Sequence, residues 1–223
     1  MKRKRVVVQN RDGVYHLMSR CCLGEHLLED GEKEMFIGMM RRQAAFCGVD
    51  ILAYSIMSNH FHILARVRHE KPQTDAEVLN RYRAFHEGCR ISPYSITPDG
   101  LEKMLERNDE IAQHARDALL ARMGDVSVFM RELKQRFSIW NNYQNGKRRN
   151  LWMDRFKSLV VEPSLHAMAT VAAYIDLNAV RAGQVDDPAD YRFCSYAAAM
   201  GGKASAIEGL SSHCSGIAAK AVV

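Results

Sequence analysis

The pattern most informative about the fold is Val49-Asp50-Ile51-Leu52-Ala53-Tyr54-Ser55-Ile56-Met57-Ser58-Asn59-His60-Phe61-His62-Ile63-Leu64. Apolar runs over 50–57 and 61–67 flank the turn-like pair Ser58-Asn59, which predicts a β-hairpin. Successive side chains of a strand point to opposite faces, so His60 and His62 share one face. Two imidazoles about 7 Å apart along a strand can converge on one divalent cation. A structural or merely exposed role is the alternative for this pair.

Other elements are predicted on both sides of the hairpin. A strand over 14–20 and a helix over 32–46 precede it, and a helix over 127–143 and a strand over 158–161 follow. Between 69 and 124 a polar, proline-punctuated stretch leads into apolar residues at helical spacing from Leu101 to Met123. This region is predicted to be a helical insertion. The residues after about 201 are rich in Gly, Ser and Ala, and we expect 201–223 to be a flexible tail.

One further helix carries residues suited to chemistry. Ser164 is a candidate N-cap and Gly183 a candidate C′ residue. Tyr174, Asn178 and Arg181 lie at positions i, i+4 and i+7 of this helix, so they form a polar stripe. Two imidazoles and an amide oxygen would give a neutral, open-sided site suited to Mg²⁺ or Mn²⁺.

A tyrosine beside such a metal suggests phosphoryl transfer. A phenol, with a pKa near ~10, is a weak nucleophile unless a metal or a base assists it. Attack on a phosphodiester would give a covalent phosphotyrosine and divide strand transfer into two steps. Tyr143 is the main competitor for this role, because it lies on the preceding helix beside a basic turn.

Positive charge is concentrated in a few segments. The 223-residue chain carries a formal net charge of +5 and has a pI near 8.9. Lys147-Arg148-Arg149, Arg155 and Lys157 interleave with Trp152 and Phe156, a mixture suited to phosphate contact and base stacking. The alternative is a solvated turn beside two core aromatic residues.

Composition also suggests a cellular compartment. No stretch reaches the ~18 consecutive apolar residues of a membrane-spanning helix. The start Met1-Lys2-Arg3-Lys4-Arg5 is followed by only three valines, too few for a secretory signal. The six cysteines form no C-x-x-C pair. We therefore expect a cytoplasmic protein with reduced thiols and no contact with a membrane.

Several segments together resemble a known family. They are Tyr15-His16-Leu17-Met18-Ser19-Arg20, Met57-Ser58-Asn59-His60-Phe61-His62-Ile63-Leu64, Leu151-Trp152-Met153-Asp154-Arg155-Phe156-Lys157-Ser158, Tyr174-Ile175-Asp176-Leu177-Asn178-Ala179-Val180-Arg181-Ala182-Gly183 and Asp190-Tyr191-Arg192-Phe193-Cys194-Ser195-Tyr196. In this order they are similar to the IS200-like single-tyrosine HUH transposases, and most similar to the REP-associated tyrosine transposases.

The resemblance implies a fold and a set of roles. The fold is α+β, a ferredoxin-like HUH domain with a central antiparallel sheet flanked by helices. We assign this domain to 1–200, and its helical insertion at about 69–124 is longer than the minimal core of the family. His60, His62 and Asn178 would bind the metal, and Tyr174 would be the nucleophile that leaves a 5′-phosphotyrosine. Single-stranded DNA with a hairpin-forming repeat is the implied substrate, and a homodimer is the expected assembly. The residues expected to contact DNA are Arg155, Lys157, Trp152, Arg181, Arg20, Arg148 and Arg149.

Two other functions remain open. One is a domesticated protein that binds repeats or hairpins without cutting DNA. The other is a small-molecule metallohydrolase that uses the His pair, but such enzymes normally need a carboxylate or a third histidine ligand and a concave apolar pocket. The sequence indicates neither feature. For His16 there are two interpretations, a histidine near the metal that supports its ligands or a core or surface histidine, and the second is favoured.

Overall fold

The computed structural model describes residues 6–22, 28–87 and 95–214. It contains a four-stranded sheet of order β2-β3-β1-β4 in which every neighbouring pair is antiparallel. The strands are β1 (Gly13–Arg20), β2 (Val49–Ile56), β3 (His60–Val67) and β4 (Lys157–Val161). The predicted hairpin is β2 and β3, joined by residues 57–59. The predicted antiparallel sheet is therefore confirmed.

Helices surround the sheet in the described ranges. They are α1 (Asp30–Cys47), α2 (Asp75–His86), α3 (Pro98–Glu106), α4 (Glu110–Leu120), α5 (Val126–Gln144), α6 (Leu165–Asp176), α7 (Asn178–Arg181), α8 (Ser195–Met200) and α9 (Ala204–Cys214). The segment predicted as a helical insertion holds α2, α3 and α4. The α+β fold class is confirmed. No helix in this described part of the chain is long and apolar enough to cross a bilayer.

The alternation of side chains along the strands divides the core into two layers. Phe61 and Ile63 of β3 are fully buried against aromatic residues of α1 and α5, including Phe36 and Phe137. On the opposite face, Leu64 packs in a smaller cluster with α6. His60 and His62 share this second face with Leu64, so the α6 side of the sheet carries the candidate site.

Helix α6 begins where its sequence predicts, but the single helix expected to run from Ser164 to Gly183 is divided into α6 and α7. The Ser164 hydroxyl accepts a hydrogen bond from the backbone N–H of Ala167 at 3.3 Å, which is an N-cap. Gly183 has a φ of +65°, the left-handed conformation common after a helix end. The helix is interrupted at Leu177, where α6 gives way to the short α7.

Two segments differ from the predictions. The helix expected from Leu101 to Met123 is two helices, because Asn108 has a φ of +48° and the Asp109 side chain caps the start of α4. In place of the flexible tail expected from residue 201, helix α9 packs on β2. A Cβ atom on Gly209 would lie 2.8 Å from the carbonyl oxygen of Ile51, so the small residue permits close packing. Residues 215–223 lie outside the described residues.

Candidate functional site

A cleft opens where the ends of β1 and β3 meet. Register pairs Arg20 with His60 and Met18 with His62, so these four side chains lie on one face. The segment before β4 forms the opposite wall. The lining residues are Met18, Ser19, Arg20, His60, His62, Met153, Asp154, Arg155 and Lys157.

The His60 imidazole is held from both sides. Its Nδ1 lies 2.6 Å from the side-chain oxygen of Asn59, an acceptor that pairs with the tautomer protonated at Nδ1. Nε2 then has a free lone pair, and the Asn178 amide nitrogen lies 3.2 Å from it. Rotation of that amide by 180° presents the oxygen at the same place. Burial, with a smaller contribution from the Arg20 charge, lowers the pKa of His60.

His62 is the more deeply buried of the two histidines. Its Nδ1 lies 2.8 Å from Nε2 of His16, and the ring centroids of His60 and His62 are 5.2 Å apart. Burial lowers the pKa of His62 to about 3, and the neighbouring His16, His60 and Arg20 act in the same direction. Both members of the predicted pair are therefore neutral at physiological pH, as metal-ligating imidazoles must be.

Tyr174 stands beside the His pair. Its ring centroid lies 6.0 Å from that of His62 and 6.0 Å from that of His16, with edge-to-face geometry in both cases. The side chain is 42% exposed, so solvent and a ligand can reach it. The guanidinium of Arg181 lies 4.7 Å from the ring centre, a cation–π distance. Tyr143 is 82% exposed near the end of α5, and it is not among the residues that line the cleft.

A buried carboxylate ties the tyrosine helix to the sheet. Oδ1 of Asp176 accepts hydrogen bonds from the Ser195 hydroxyl at 2.7 Å and from the Tyr196 N–H at 3.1 Å. Ser195 in turn accepts from the Tyr54 N–H of β2 at 2.9 Å. Burial raises the pKa of Asp176. This network fixes the segment that carries Tyr174 and Asn178 against its own sheet.

The cationic residues predicted to bind DNA separate into two groups. Arg20, Arg155 and Lys157 line the cleft beside the His pair. Arg148 is exposed and Arg149 half-buried in the preceding loop, and neither is among the residues that line the cleft.

Trp152 has a different environment from the one predicted. It is 6% exposed, and its indole N–H donates to the carbonyl of Lys134 at 3.1 Å. Its ring packs against Phe36, Phe61 and Phe137. A ring enclosed in this way cannot present a face to a DNA base, so the stacking role predicted for Trp152 does not fit the structure. The alternative of a core aromatic beside a turn does fit.

The sequence predicts only a turn at Asn59 and favours a core or surface role for His16, whereas the structure places both in contact with the His pair. The side chain before a ligand histidine is well placed to bond it, which is the signal that points to Asn59. His16 shares its face with Met18 and Arg20, and the β1–β3 register is what brings it to His62. Because side chains alternate along a strand, His16, Met18 and Arg20 lie on the same face of β1, and this alternation is the feature of the sequence that indicates the position of His16.

The donor set of the cleft fits a divalent cation. Nδ1 of each histidine is already bonded within the protein, which leaves Nε2 of both for a ligand. The Asn178 amide lies beside one of these nitrogens and supplies an oxygen donor after rotation. In the described ranges, no three His, Cys, Asp or Glu side chains are grouped to hold a metal. The His60–His62–Asn178 set contains only two residues of those types, since its third donor is an amide.

Comparison with known proteins supports the fold. No family model and no curated protein matches the chain. Its structure is similar to that of a REP-associated tyrosine transposase bound to a REP hairpin, with a TM-score of 0.55 and 15% sequence identity over 88% of this chain and 83% of that one. A crystal structure described as a "putative transposase" from Deinococcus radiodurans R1 aligns over 79% of this chain and 96% of that one, with 18% identity and a TM-score of 0.32. The resemblance stated from the sequence is confirmed at the level of the fold, through the first of these structures.

Proposed function

We propose that this chain is a metal-dependent transposase that nicks and joins single-stranded DNA through a covalent 5′-phosphotyrosine on Tyr174. The observation that carries the proposal is the convergence of four side chains from two distant segments. His60 and His62 come from β3, Tyr174 from α6 and Asn178 from α7, and they meet beside one cleft. All four of these side chains belong to one chain.

The cleavage step transfers a phosphoryl group to the tyrosine. The Tyr174 oxygen attacks the phosphorus and forms a P–O bond, while the bond from phosphorus to the 3′ oxygen breaks. The phenol proton passes to solvent, and the departing 3′ oxygen takes up a proton. In the joining step a 3′-hydroxyl attacks the phosphotyrosine and the P–O bond to Tyr174 breaks. The energy of the ester is conserved, so joining needs no nucleotide cofactor.

His60, His62 and Asn178 would hold Mg²⁺ or Mn²⁺. When bound, the ion polarises a phosphoryl oxygen and neutralises the charge that develops on it. The burial that lowers the pKa of both histidines keeps their lone pairs available. Asn59 orients the first ring through its Nδ1 proton.

The substrate we propose is a single strand that contains a hairpin-forming repeat. Arg20, Arg155 and Lys157 give the cleft a cationic wall suited to phosphates. The similar solved structure is bound to a REP hairpin, which motivates the choice of substrate. A homodimer, as the resemblance implies, would be detected by sedimentation.

The test is formation of a covalent protein–DNA adduct. Purified protein is incubated with Mg²⁺ or Mn²⁺ and single-stranded hairpin oligonucleotides, and adducts are resolved on a denaturing gel. We expect an adduct with wild type and with the control Tyr143→Phe, and none with Tyr174→Phe or with excess EDTA. Tight binding with no adduct on any oligonucleotide would favour a repeat-binding protein without strand transfer. An adduct that persists in Tyr174→Phe would exclude Tyr174 as the nucleophile.

A further inference from the structure

His16 lies on β1 next to the strand that carries the His pair. The register places Met18 opposite His62, so His16 is the diagonal neighbour of His62 on the same face of the sheet. His16 is 7% exposed and His62 is 8% exposed. The hydrogen bond between them is thus shielded from water, and solvent cannot easily replace it.

The contact between the two rings restricts their protonation. Nε2 of His16 and Nδ1 of His62 are 2.8 Å apart, so one nitrogen carries the proton and the other accepts it. If His16 donated, neutral His62 would carry its own proton on Nε2 and have no lone pair for the cleft. If His62 donates from Nδ1, its Nε2 lone pair is free.

The neighbouring histidine shows which arrangement matches the site. His60 gives its Nδ1 proton to Asn59 and keeps Nε2 unprotonated. Metal-ligating histidines generally donate their second ring N–H to a protein acceptor, and this fixes both the tautomer and the ring orientation. His16 is the group in contact with Nδ1 of His62 and is placed to serve as that acceptor.

We propose that His16 is a positioning residue: its Nε2 accepts the Nδ1 proton of His62 and so holds the His62 ring with an unprotonated Nε2 toward the cleft. His16 itself then carries its proton on Nδ1. The consequence for metal affinity rests on the function proposed above. The tautomer of His62 does not depend on the proposed function, because it is a property of the metal-free protein.

The first readout is spectroscopic. Long-range ¹H–¹⁵N correlation spectra of ¹⁵N-histidine-labelled, metal-free protein distinguish protonated from unprotonated ring nitrogens, with His62→Gln and His16→Gln spectra to assign the signals. We expect His62 protonated at Nδ1 and His16 protonated at Nδ1. A His62 signal protonated at Nε2 in wild type would overturn the proposal, whether or not the protein proves to be a nuclease.

The second readout compares substitutions of His16. His16→Phe keeps an aromatic ring against Tyr174 but removes the acceptor, whereas a Gln side chain can restore an acceptor near the same point. We expect His16→Phe to weaken Mn²⁺ binding by about 10- to 100-fold in calorimetric titration and to lose the single His62 tautomer. His16→Gln should recover most of the affinity, and the control His114→Phe, at an exposed position, should leave it unchanged.

The two proposals can fail separately. Should wild type bind no Mn²⁺ while His62 still shows the Nδ1 tautomer only when His16 is present, the metal-dependent function fails and the positioning role stands. Unchanged Mn²⁺ affinity and an unchanged His62 tautomer in folded His16→Phe would overturn the positioning role. Circular dichroism establishes folding of each variant before these comparisons.

Discussion

Substitution of Ser195 by Ala tests how the tyrosine segment is anchored. The Ser195 side chain is 2% exposed and connects Asp176, at the end of α6, to the edge strand β2. Its hydroxyl donates a hydrogen bond to Oδ1 of Asp176 at 2.7 Å and accepts one from the Tyr54 N–H at 2.9 Å. The alanine variant removes both bonds at once.

The cost follows from the groups left without a partner. The Tyr54 N–H loses its acceptor, while Asp176 loses one hydrogen bond and keeps others, among them that of the Tyr196 N–H at 3.1 Å. A buried polar group left unsatisfied costs about 1–3 kcal/mol, so two affected groups cost about 3 kcal/mol in unfolding free energy. For a chain of this size that corresponds to a fall in Tm of about 6–12 °C.

Thermal unfolding followed by circular dichroism measures this difference. Ser205→Ala is the matched control, because Ser205 is an exposed serine in α9 and surface substitutions change stability by about 0.5 kcal/mol or less. A Tm for Ser195→Ala within about 2 °C of wild type would refute the reasoning, since it would mean that the buried network contributes nothing to holding the helix.

Three further predictions concern Asp176, the cleft wall and Trp152. Burial raises the pKa of Asp176, so the Asp176 carboxyl keeps its proton to higher pH in the folded state than in the unfolded chain. The stabilisation that protonated Asp176 gives the folded state is therefore complete below about pH 3.8 and is lost as pH rises through the folded pKa. In urea unfolding from pH 4 to 7, Asp176→Asn should remove this decline in the unfolding free energy. The same pH dependence in Asp176→Asn and wild type would contradict the prediction. Arg155→Ala and Lys157→Ala should each reduce by about 0.7 the magnitude of the slope of the log association constant for single-stranded DNA against log salt concentration. The exposed control Lys103→Ala should leave this slope unchanged. Trp152→Leu should lower the unfolding free energy by about 2–4 kcal/mol yet change DNA affinity less than twofold, whereas a stacking role requires a loss of about fivefold or more.

Local patterns were sufficient to predict much of the framework. Alternation along β3 separates His60 and His62 from Phe61 and Ile63, and the structure places these pairs on opposite faces of the sheet. Capping chemistry located the start of α6 at Ser164. These features depend on residues close together in sequence, so a single sequence contains the necessary information.

Features that depend on distant contacts were not predictable in the same way. An aromatic residue in a basic segment has the same sequence pattern whether its ring stacks on DNA or packs in the core. Trp152 packs among core rings of α1, α5 and β3. The small residues of α9 suggested a flexible tail, whereas at Gly209 a small residue allows close approach to β2. His16 meets His62 only through the β1–β3 register, which pairs positions more than 40 residues apart.

If Tyr174 is the nucleophile, it becomes covalently linked to DNA, and mass spectrometry can locate that linkage on the chain. After reaction with a hairpin oligonucleotide, nuclease treatment and complete tryptic digestion, peptide 158–181 contains Tyr174 as its single tyrosine, and peptide 137–147 contains Tyr143 as its single tyrosine. We expect a residual nucleotide, joined through its 5′ phosphate, on Tyr174 in peptide 158–181 and only when Mg²⁺ or Mn²⁺ is supplied. A nucleotide on peptide 137–147, or unmodified peptides from reactions in which the DNA has been cut, would contradict it.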